Sequence, residues 1–166
     1  MTPAGAGVEA VDCKQLSPTE REAVLGLRIS EAQVEFAGPV ARSVAGCESG
    51  DPAEVVGLAL RVATEIVGWV VLKRGASAPE WVSPAAAVVG GLRVDVRHQG
   101  RGIGSAALVA VARWVARHWP EIAQLELRVD EANVAGIRAY AKAGWIESGE
   151  RRVGRVGVEL TMSLQL

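Results

Sequence analysis

Residues 94–104 read Val-Asp-Val-Arg-His-Gln-Gly-Arg-Gly-Ile-Gly and place three glycines between an apolar segment and an amphipathic one. Glycine lets the backbone turn tightly and leaves the amide groups uncovered by side chains. From Ile103 to Val115 apolar residues recur at intervals of three and four, which predicts a helix that ends near His118. Because the first N–H groups of a helix lack internal partners, they favour an anion. We therefore predict an anion-binding turn between a strand and a helix.

The side chains around the glycines narrow the choice of anion. Arg97 and Arg101 add positive charge, and Ser105 adds a hydroxyl donor. The phosphate loop of nucleotide hydrolases requires a lysine directly after its last glycine, and none stands there. A dinucleotide fingerprint requires a third glycine where Ser105 stands and an acidic residue ~20 positions further on. Since Glu126 and Asp130 lie somewhat too far away, a dehydrogenase is only an alternative, as is a turn that merely needs glycine.

The rest of the chain predicts alternating strands and helices. Strands are predicted over residues 8–13, 55–62, 66–72, 85–96, 125–129, 145–153 and 156–164. Helices are predicted from Pro18 to about Arg28, from Ser30 to Val44, and from Asn133 to Gly144. Gly90 and Gly91 predict a bulge in their strand, and residues 73–84 predict a long surface loop. This order is typical of an α/β (α+β) domain around a mixed sheet.

Composition excludes several classes of protein. With 166 residues, 49% hydrophobic and 22% charged, the chain fits one domain over residues 8–166, after a flexible tail at residues 1–7. A formal net charge of -1 gives no field for nucleic acid or an anionic membrane. The apolar runs fall short of a membrane span and the N-terminus lacks the features of a signal peptide, so we expect a cytoplasmic protein. Cys13 and Cys47 lie far apart, and we expect neither a disulfide nor a metal site.

A second motif begins at Asn133 and reads Asn-x-x-Gly-x-x-x-Tyr-x-Lys-x-Gly-Trp, ending at Trp145. Together with Arg97, Gly100 and Gly102, it resembles the signatures of the GNAT superfamily of N-acetyltransferases. Two departures are mild: Gly136 stands where alanine is usual, and Trp145 where phenylalanine is usual. The resemblance covers residues 85–145 and implies a mainly antiparallel mixed sheet of about six to seven strands with about four flanking helices.

By this resemblance the chain binds acetyl-CoA, and no metal is implied. The pantetheine arm would run along the end of the strand near Leu92 and Val94, and the pyrophosphate would lie on the glycine loop. The residues implied in binding are Leu92, Val94, Arg97, His98, Gln99, Gly100, Arg101, Gly102, Ile103, Gly104, Ser105, Asn133 and Tyr140. Capping of a helix would also explain Asn133. A half-buried core position would also explain Tyr140.

The resemblance implies that Tyr140 is the catalytic acid, which protonates the departing thiolate. A general base is not evident. Four carboxylates near the expected cleft are better explained as solvated or structural groups, namely Glu80, Asp95, Glu126 and Asp130. Neither His98 nor His118 is assigned a catalytic part, and water is an alternative base.

The acceptor is predicted to be a small-molecule amine. Residues 29–36 and 66–69 are faintly similar to bacterial polyamine-acetylating members of the superfamily, and Glu31 and Glu35 lie one turn apart on a predicted helix. A polyamine is thus the narrower hypothesis, and a solvated acidic face is the alternative. A protein or peptide N-acetyltransferase and a non-catalytic acyl-CoA sensor also stay open, as does a homodimer.

Overall fold

The computed structural model describes residues 7–166, which form eight strands and five α-helices. The strands are β1 (Val8–Asp12), β2 (Val55–Val62), β3 (Glu65–Lys73), β4 (Ala86–Val94), β5 (Gln124–Asp130), β6 (Ile146–Glu147), β7 (Arg152–Val153) and β8 (Val158–Gln165). The helices are α1 (Pro18–Leu25), α2 (Glu31–Ala37), α3 (Val40–Ser49), α4 (Ile103–His118) and α5 (Val134–Lys142). The predicted tail lies outside the described residues except for Gly7.

All eight strands belong to one sheet in the order β1-β2-β3-β4-β5-β8-β6, with β7 also paired to β8. Only β4 and β5 run parallel; the other pairs are antiparallel. The prediction of a mixed, mainly antiparallel sheet is therefore confirmed. The predicted strands 55–62 and 66–72 form an antiparallel hairpin, in which β2 and β3 pair from Val62–Glu65 at the turn to Val55–Lys73 at the far end.

Helices cover both faces of the sheet. Because successive side chains of a strand point to opposite faces, β3 contributes Val70 and Leu72 to one core and Trp69 and Val71 to the other. The first core packs against α4, and the second packs against α1 and α3. A central strand buried on both faces explains why β3 reads as an uninterrupted apolar run rather than an alternating one.

The predicted helix over residues 30–44 is wrong, because the structure has two helices there. Gly38 ends α2 with φ 72° and ψ 176°, and its N–H donates to the Val34 carbonyl at 2.7 Å. Pro39 follows and occupies the N-cap position of α3. Proline has no N–H to donate, so it is tolerated there but would disrupt the interior of a helix. The break turns the chain at the C-terminus of α2, which matters for the cleft described below.

The single strand predicted over residues 145–153 is also wrong, because the structure interrupts it. It forms two strands of two residues each, β6 and β7, both paired with β8. Gly149, with φ 70°, lies in the interruption. This break is the reason that the sheet has eight strands where about six to seven were expected.

Candidate functional site

A cleft opens in the sheet where β4 and β5 separate. The two strands pair only from Ala86 to Val88 on the β4 side. On its other edge β4 shifts register against β3, because Val71 pairs with Gly90 but Trp69 pairs with Arg93. This shift is the bulge that the paired glycines predicted. Beyond it a cavity of about 450 Å³ lies between the end of β4, α2, the glycine loop and α5.

The glycine loop forms one side of this cavity. Gly100 and Gly102 both have φ 75°, in the left-handed region, and Gly102 directly precedes α4. No side chain caps the helix N-terminus, and the Ser105 hydroxyl instead donates to the Gly102 carbonyl at 3.1 Å. The first N–H groups of this helix of 16 residues are therefore open to an anion.

The two predicted arginines of the loop lie outside the cavity lining. The Arg97 guanidinium donates to Asp95 at 2.8 Å, its side chain is 67% exposed, and it does not line the cavity. Arg101 is exposed and also lies outside the lining. Instead, Arg138 and Lys142 of α5 line the cavity, and the Lys142 Nζ is 3.6 Å from where a Cβ on Gly102 would lie. Sequence reasoning missed both, although Lys142 belongs to the second motif.

All the other predicted binding residues do line this cavity. They are Leu92, Val94, His98, Gln99, Gly100, Gly102, Ile103, Gly104, Ser105, Asn133 and Tyr140. We refer to the part formed by residues 98–105 and by the α5 residues as the loop wall. The facing part consists of Ile29, Gln33, Phe36 and Ala37, and we call it the α2 wall.

Gln99 connects the two walls. Its Nε2 donates to the Val94 carbonyl at 2.8 Å and to the Gln33 Oε1 at 3.0 Å, while the Gln33 Nε2 donates back to the Gln99 Oε1 at 3.2 Å. His98 extends from the same loop and contacts the Glu65 carboxylate at 2.9 Å. The side chain of Gln99 thus fixes the position of α2 relative to the glycine loop.

Tyr140 lies on α5 at the inner part of the loop wall. Its ring packs against Trp145 at a centroid distance of 5.9 Å, and burial raises the pKa of Tyr140 to about 12. Its phenol is therefore protonated at neutral pH, and among residues 7–166 it has no hydrogen-bond partner. Asn133 caps α5 by accepting from the Gly136 N–H at 3.1 Å, so its predicted capping role is present.

The four carboxylates near the cleft all lie outside the cavity lining. Burial alone would raise the pKa of Asp95, but hydrogen bonds from the Arg97 side chain and the Arg28 and Arg97 amides outweigh it and lower the pKa to about 2. Glu126 accepts from the N–H of Ser83 and from two side chains, and Asp130 accepts from the Ala132 N–H. These partners are structural, so none of the carboxylates is placed as a base.

Arg93 is a residue of the cavity that sequence reasoning missed. It is 4% exposed, and its guanidinium donates to the carbonyls of Gly38 at 2.6 Å, Ala37 at 2.9 Å and Gly91 at 3.2 Å. Burial lowers the pKa of Arg93. A signal was present in the sequence, because Arg93 is the one charged residue in the apolar run of β4.

The sequence predicted no metal site and no membrane span, and it suggested that Glu31 and Glu35 contact the acceptor. Within residues 7–166, no group of three or more His, Cys, Asp or Glu side chains is placed to hold a metal ion. In the same range, no helix has the length and apolar character needed to cross a bilayer. Glu31 and Glu35 are exposed and do not belong to the α2 wall.

The sequence matches one protein family over more than half of its length. Residues 27–145 match the model of the "Acetyltransferase (GNAT) family". The uncharacterized N-acetyltransferase YbbJ of Bacillus subtilis (strain 168) is 26% identical over 80 residues, a match that spans 48% of this chain and 50% of that protein. The chain thus matches only about half the length of this curated relative.

Solved structures with the same fold include the GNAT domain of S. lividans PAT. It has 26% sequence identity and a TM-score of 0.69, and the match covers 96% of this chain and 89% of that one. AAC(6')-Ib, solved in complex with paromomycin and acetyl-CoA, has 17% identity and a TM-score of 0.72 over 96% of this chain and 93% of that one. The second likeness concerns the fold alone.

Proposed function

Because this chain belongs to the acetyltransferase (GNAT) family, we propose that it transfers the acetyl group of acetyl-CoA to an amine of a small molecule. The observation that carries the proposal is the cavity in which the end of β4 that has separated from β5, the uncapped start of α4 and the Tyr140 side chain come together. We also propose that residues 8–166 act as one domain. A cytoplasmic location and a homodimer stay predictions.

Acetyl-CoA fits the donors that the cavity offers. Its pyrophosphate would accept from the open N–H groups at the start of α4, and Lys142 and Arg138 would supply positive charge beside them. Its pantetheine arm would lie along Leu92 and Val94, where β4 has left β5. The fold likeness to AAC(6')-Ib, which was solved with acetyl-CoA, supports the same choice of cosubstrate.

In the transfer the amine nitrogen bonds to the thioester carbon, the carbon–sulfur bond breaks, and the sulfur leaves as a thiolate. A backbone N–H of β4 near Leu92–Val94 would polarise the thioester carbonyl. Tyr140 would donate its hydroxyl to the thiolate, and the proton lost by the amine balances the one that the thiolate gains. With a pKa of about 12, the phenol is a weaker acid than an ordinary tyrosine, so its hydroxyl must lie close to the sulfur.

The proposed acceptor is a small primary amine and is not restricted to polyamines. The polyamine hypothesis came from the likeness of residues 29–36 and 66–69 to polyamine-acetylating members and from Glu31 and Glu35, and both glutamates lie outside the cavity lining. Within the described chain the charged side chains of the cavity are Arg93, Arg138 and Lys142, apart from His98. A polycation has no carboxylate to bind there, so the cavity gives the narrower hypothesis no support.

Acetyl-CoA binding and thiol release on a panel of amines test the proposal. Saturation at about a hundredfold excess over Kd should stabilise the fold by ~2.7 kcal/mol, which raises the melting temperature. The panel should include small amines, polyamines and a peptide with a free N-terminus, because the peptide arm decides between small-molecule and peptide acetylation. Binding without thiol release in any arm would indicate an acyl-CoA sensor, and the absence of binding would contradict the cosubstrate.

A further inference from the structure

Arg93 is a buried positive charge without a negative partner. Its side chain is 4% exposed, no Asp or Glu of the described chain lies within salt-bridge distance of it, and its three recorded acceptors are neutral backbone carbonyls. Burial of an ion is costly unless an opposite charge compensates it. The carbonyls of Ala37 and Gly38 compensate it only in part, through their position at the C-terminal end of α2.

The guanidinium has donors to spare at the cavity. Each Nη carries two N–H groups, and the Gly38 and Ala37 carbonyls each take one. Arg93 is one of the residues that line the cavity, so a ligand there would meet the remaining N–H groups from that side. A planar pair of N–H groups matches the two oxygens of a carboxylate.

Because of its position, the Arg93 guanidinium would bind the acceptor rather than acetyl-CoA. Leu92 packs with the core that contains α4, so the next residue of the strand points to the opposite face. There the Arg93 guanidinium lies against the end of α2, while Lys142 and the glycine loop lie across the cavity. The phosphates of acetyl-CoA thus have their own donors on the loop wall.

From this arrangement, and resting on the proposed function, we propose that the acceptor is a small amine that also carries a carboxylate, which Arg93 binds. A carboxylate fits better than a phosphate, because a single guanidinium neutralises one negative charge and a phosphate dianion would stay uncompensated in a buried site. The carbonyls of Ala37 and Gly38 would hold the guanidinium in place for this carboxylate.

The test compares each amine acid with its own carboxamide, using acetyl-CoA and thiol release. The pairs are α-amino acids and their amides, and β-alanine and γ-aminobutyrate and their amides, with O-phosphoethanolamine as the phosphate arm. Because an amide lowers the pKa of the nearby amine, kcat/KM is expressed per deprotonated amine. We expect at least one acid to exceed its amide at least tenfold, and this preference to fall at least tenfold in Arg93→Gln.

Arg138→Gln is the matched control, since it removes a cation from the same cavity on the loop wall. It should weaken CoA binding and keep the preference for the acid. If the parent treats every acid and amide alike, prefers O-phosphoethanolamine over every acid, or keeps its preference in Arg93→Gln, the proposal is overturned.

A binding measurement on the parent separates this inference from the proposed function. In protein with ¹⁵N-labelled arginine and bound CoA, the Arg93 Nε–H signal should shift with an accepted acid and stay in place with its amide. No thiol release from any amine would contradict the proposed function, and the Arg93 signal would then decide the carboxylate site alone. An Arg93 signal that responds to neither acids nor amides would overturn it.

Discussion

The loop wall of the cleft is built from two short motifs, each of neighbouring residues, whereas the α2 wall is held by contacts between distant parts of the chain. On the loop wall, Gly100 and Gly102 and the start of α4 follow one another directly. On the α2 wall, α2 is held by Gln99 through Gln33, by Arg93 through its C-terminal carbonyls, and by Arg155 through the Glu35 carbonyl. Short motifs can therefore encode the loop wall, but the α2 wall depends on the whole fold.

The largest expected effect concerns Tyr140, which belongs to the loop wall. Tyr140→Phe removes the hydroxyl and keeps the ring that packs against Trp145. Since positioned acid catalysis contributes ~100–10,000-fold, we expect kcat to fall by that range while the Kd of acetyl-CoA changes little. Steady-state kinetics at saturating acetyl-CoA measure this, and calorimetry gives the Kd. Near-parental kcat in a folded variant, with chemistry limiting turnover, would leave water as the acid.

Gly102→Val tests whether the loop wall acts through its backbone. Gly102 has φ 75°, which a β-branched residue resists, so the chain would move the first amides of α4 to relieve the strain. We expect CoA affinity to fall roughly 10–100-fold, more than the apo fold is destabilised. Gly104→Ala is the control, because its new Cβ would make only ordinary contact with Ala139 at 3.7 Å. Equal CoA affinity in folded Gly102→Val would show that the pyrophosphate binds elsewhere.

A pair of cation variants distinguishes the structure from the motif. Lys142→Gln removes a charge that lines the cavity, so CoA affinity should fall roughly tenfold, in the range of hydrogen bonds to charged groups. Arg97→Gln removes a charge that pairs with the buried Asp95, so it should lower the free energy of unfolding and leave CoA affinity unchanged. Calorimetry and urea unfolding measure the two effects. The reverse result would restore Arg97 as the phosphate contact.

The raised pKa of Tyr140 predicts an alkaline loss of stability. The unfolded chain ionises this phenol near pH 10, but the folded one holds its proton to about pH 12. The contribution is thus fully present below pH 10 and is lost as pH rises toward 12, by about 1 kcal/mol per pH unit relative to Tyr140→Phe. Urea unfolding of both proteins from pH 9 to 11 measures the difference. A constant difference over this range would mean that the phenol is not shielded from water.

The smallest effect is expected on the outer face of α2. Glu31→Lys with Glu35→Lys reverses two exposed charges outside the cavity lining. We expect the KM of the acceptor to change less than about twofold, as is usual for exposed charges separated from a ligand by solvent. The amine panel measures this directly. A large increase in the KM of polyamines alone would revive the polyamine hypothesis and place the acceptor beyond the α2 wall.

Local patterns in the sequence were sufficient for the loop wall and for most of the sheet. The glycine loop, the Asn133 cap of α5 and the bulge at Gly90–Gly91 depend on residues next to each other, and each was predicted. The break between α2 and α3 at Gly38 and Pro39 is also local. The prediction missed it because helical spacing of apolar residues continues across it.

The positions of charged side chains could not be predicted in the same way. Arg97 follows the motif, yet its guanidinium binds Asp95, a buried carboxylate that also accepts from the backbone N–H of Arg28 in a distant loop. Arg93 is explained only once the end of α2 is placed beside β4, across more than fifty intervening residues. Charge placement depends on partners brought together by the tertiary structure, which a spacing pattern does not contain.

The short pairing of β4 with β5 gives one strand two rates of hydrogen exchange. Amides of β4 that face β3 are held in an antiparallel ladder, whereas those beyond Val88 that face β5 have no strand partner in residues 7–166. Amides without a ladder partner exchange at low opening free energy. A ligand that occupies the cleft should slow exchange on one edge of β4 and leave the other edge as it was. The strand therefore reports occupancy of the cleft and carries its own internal reference.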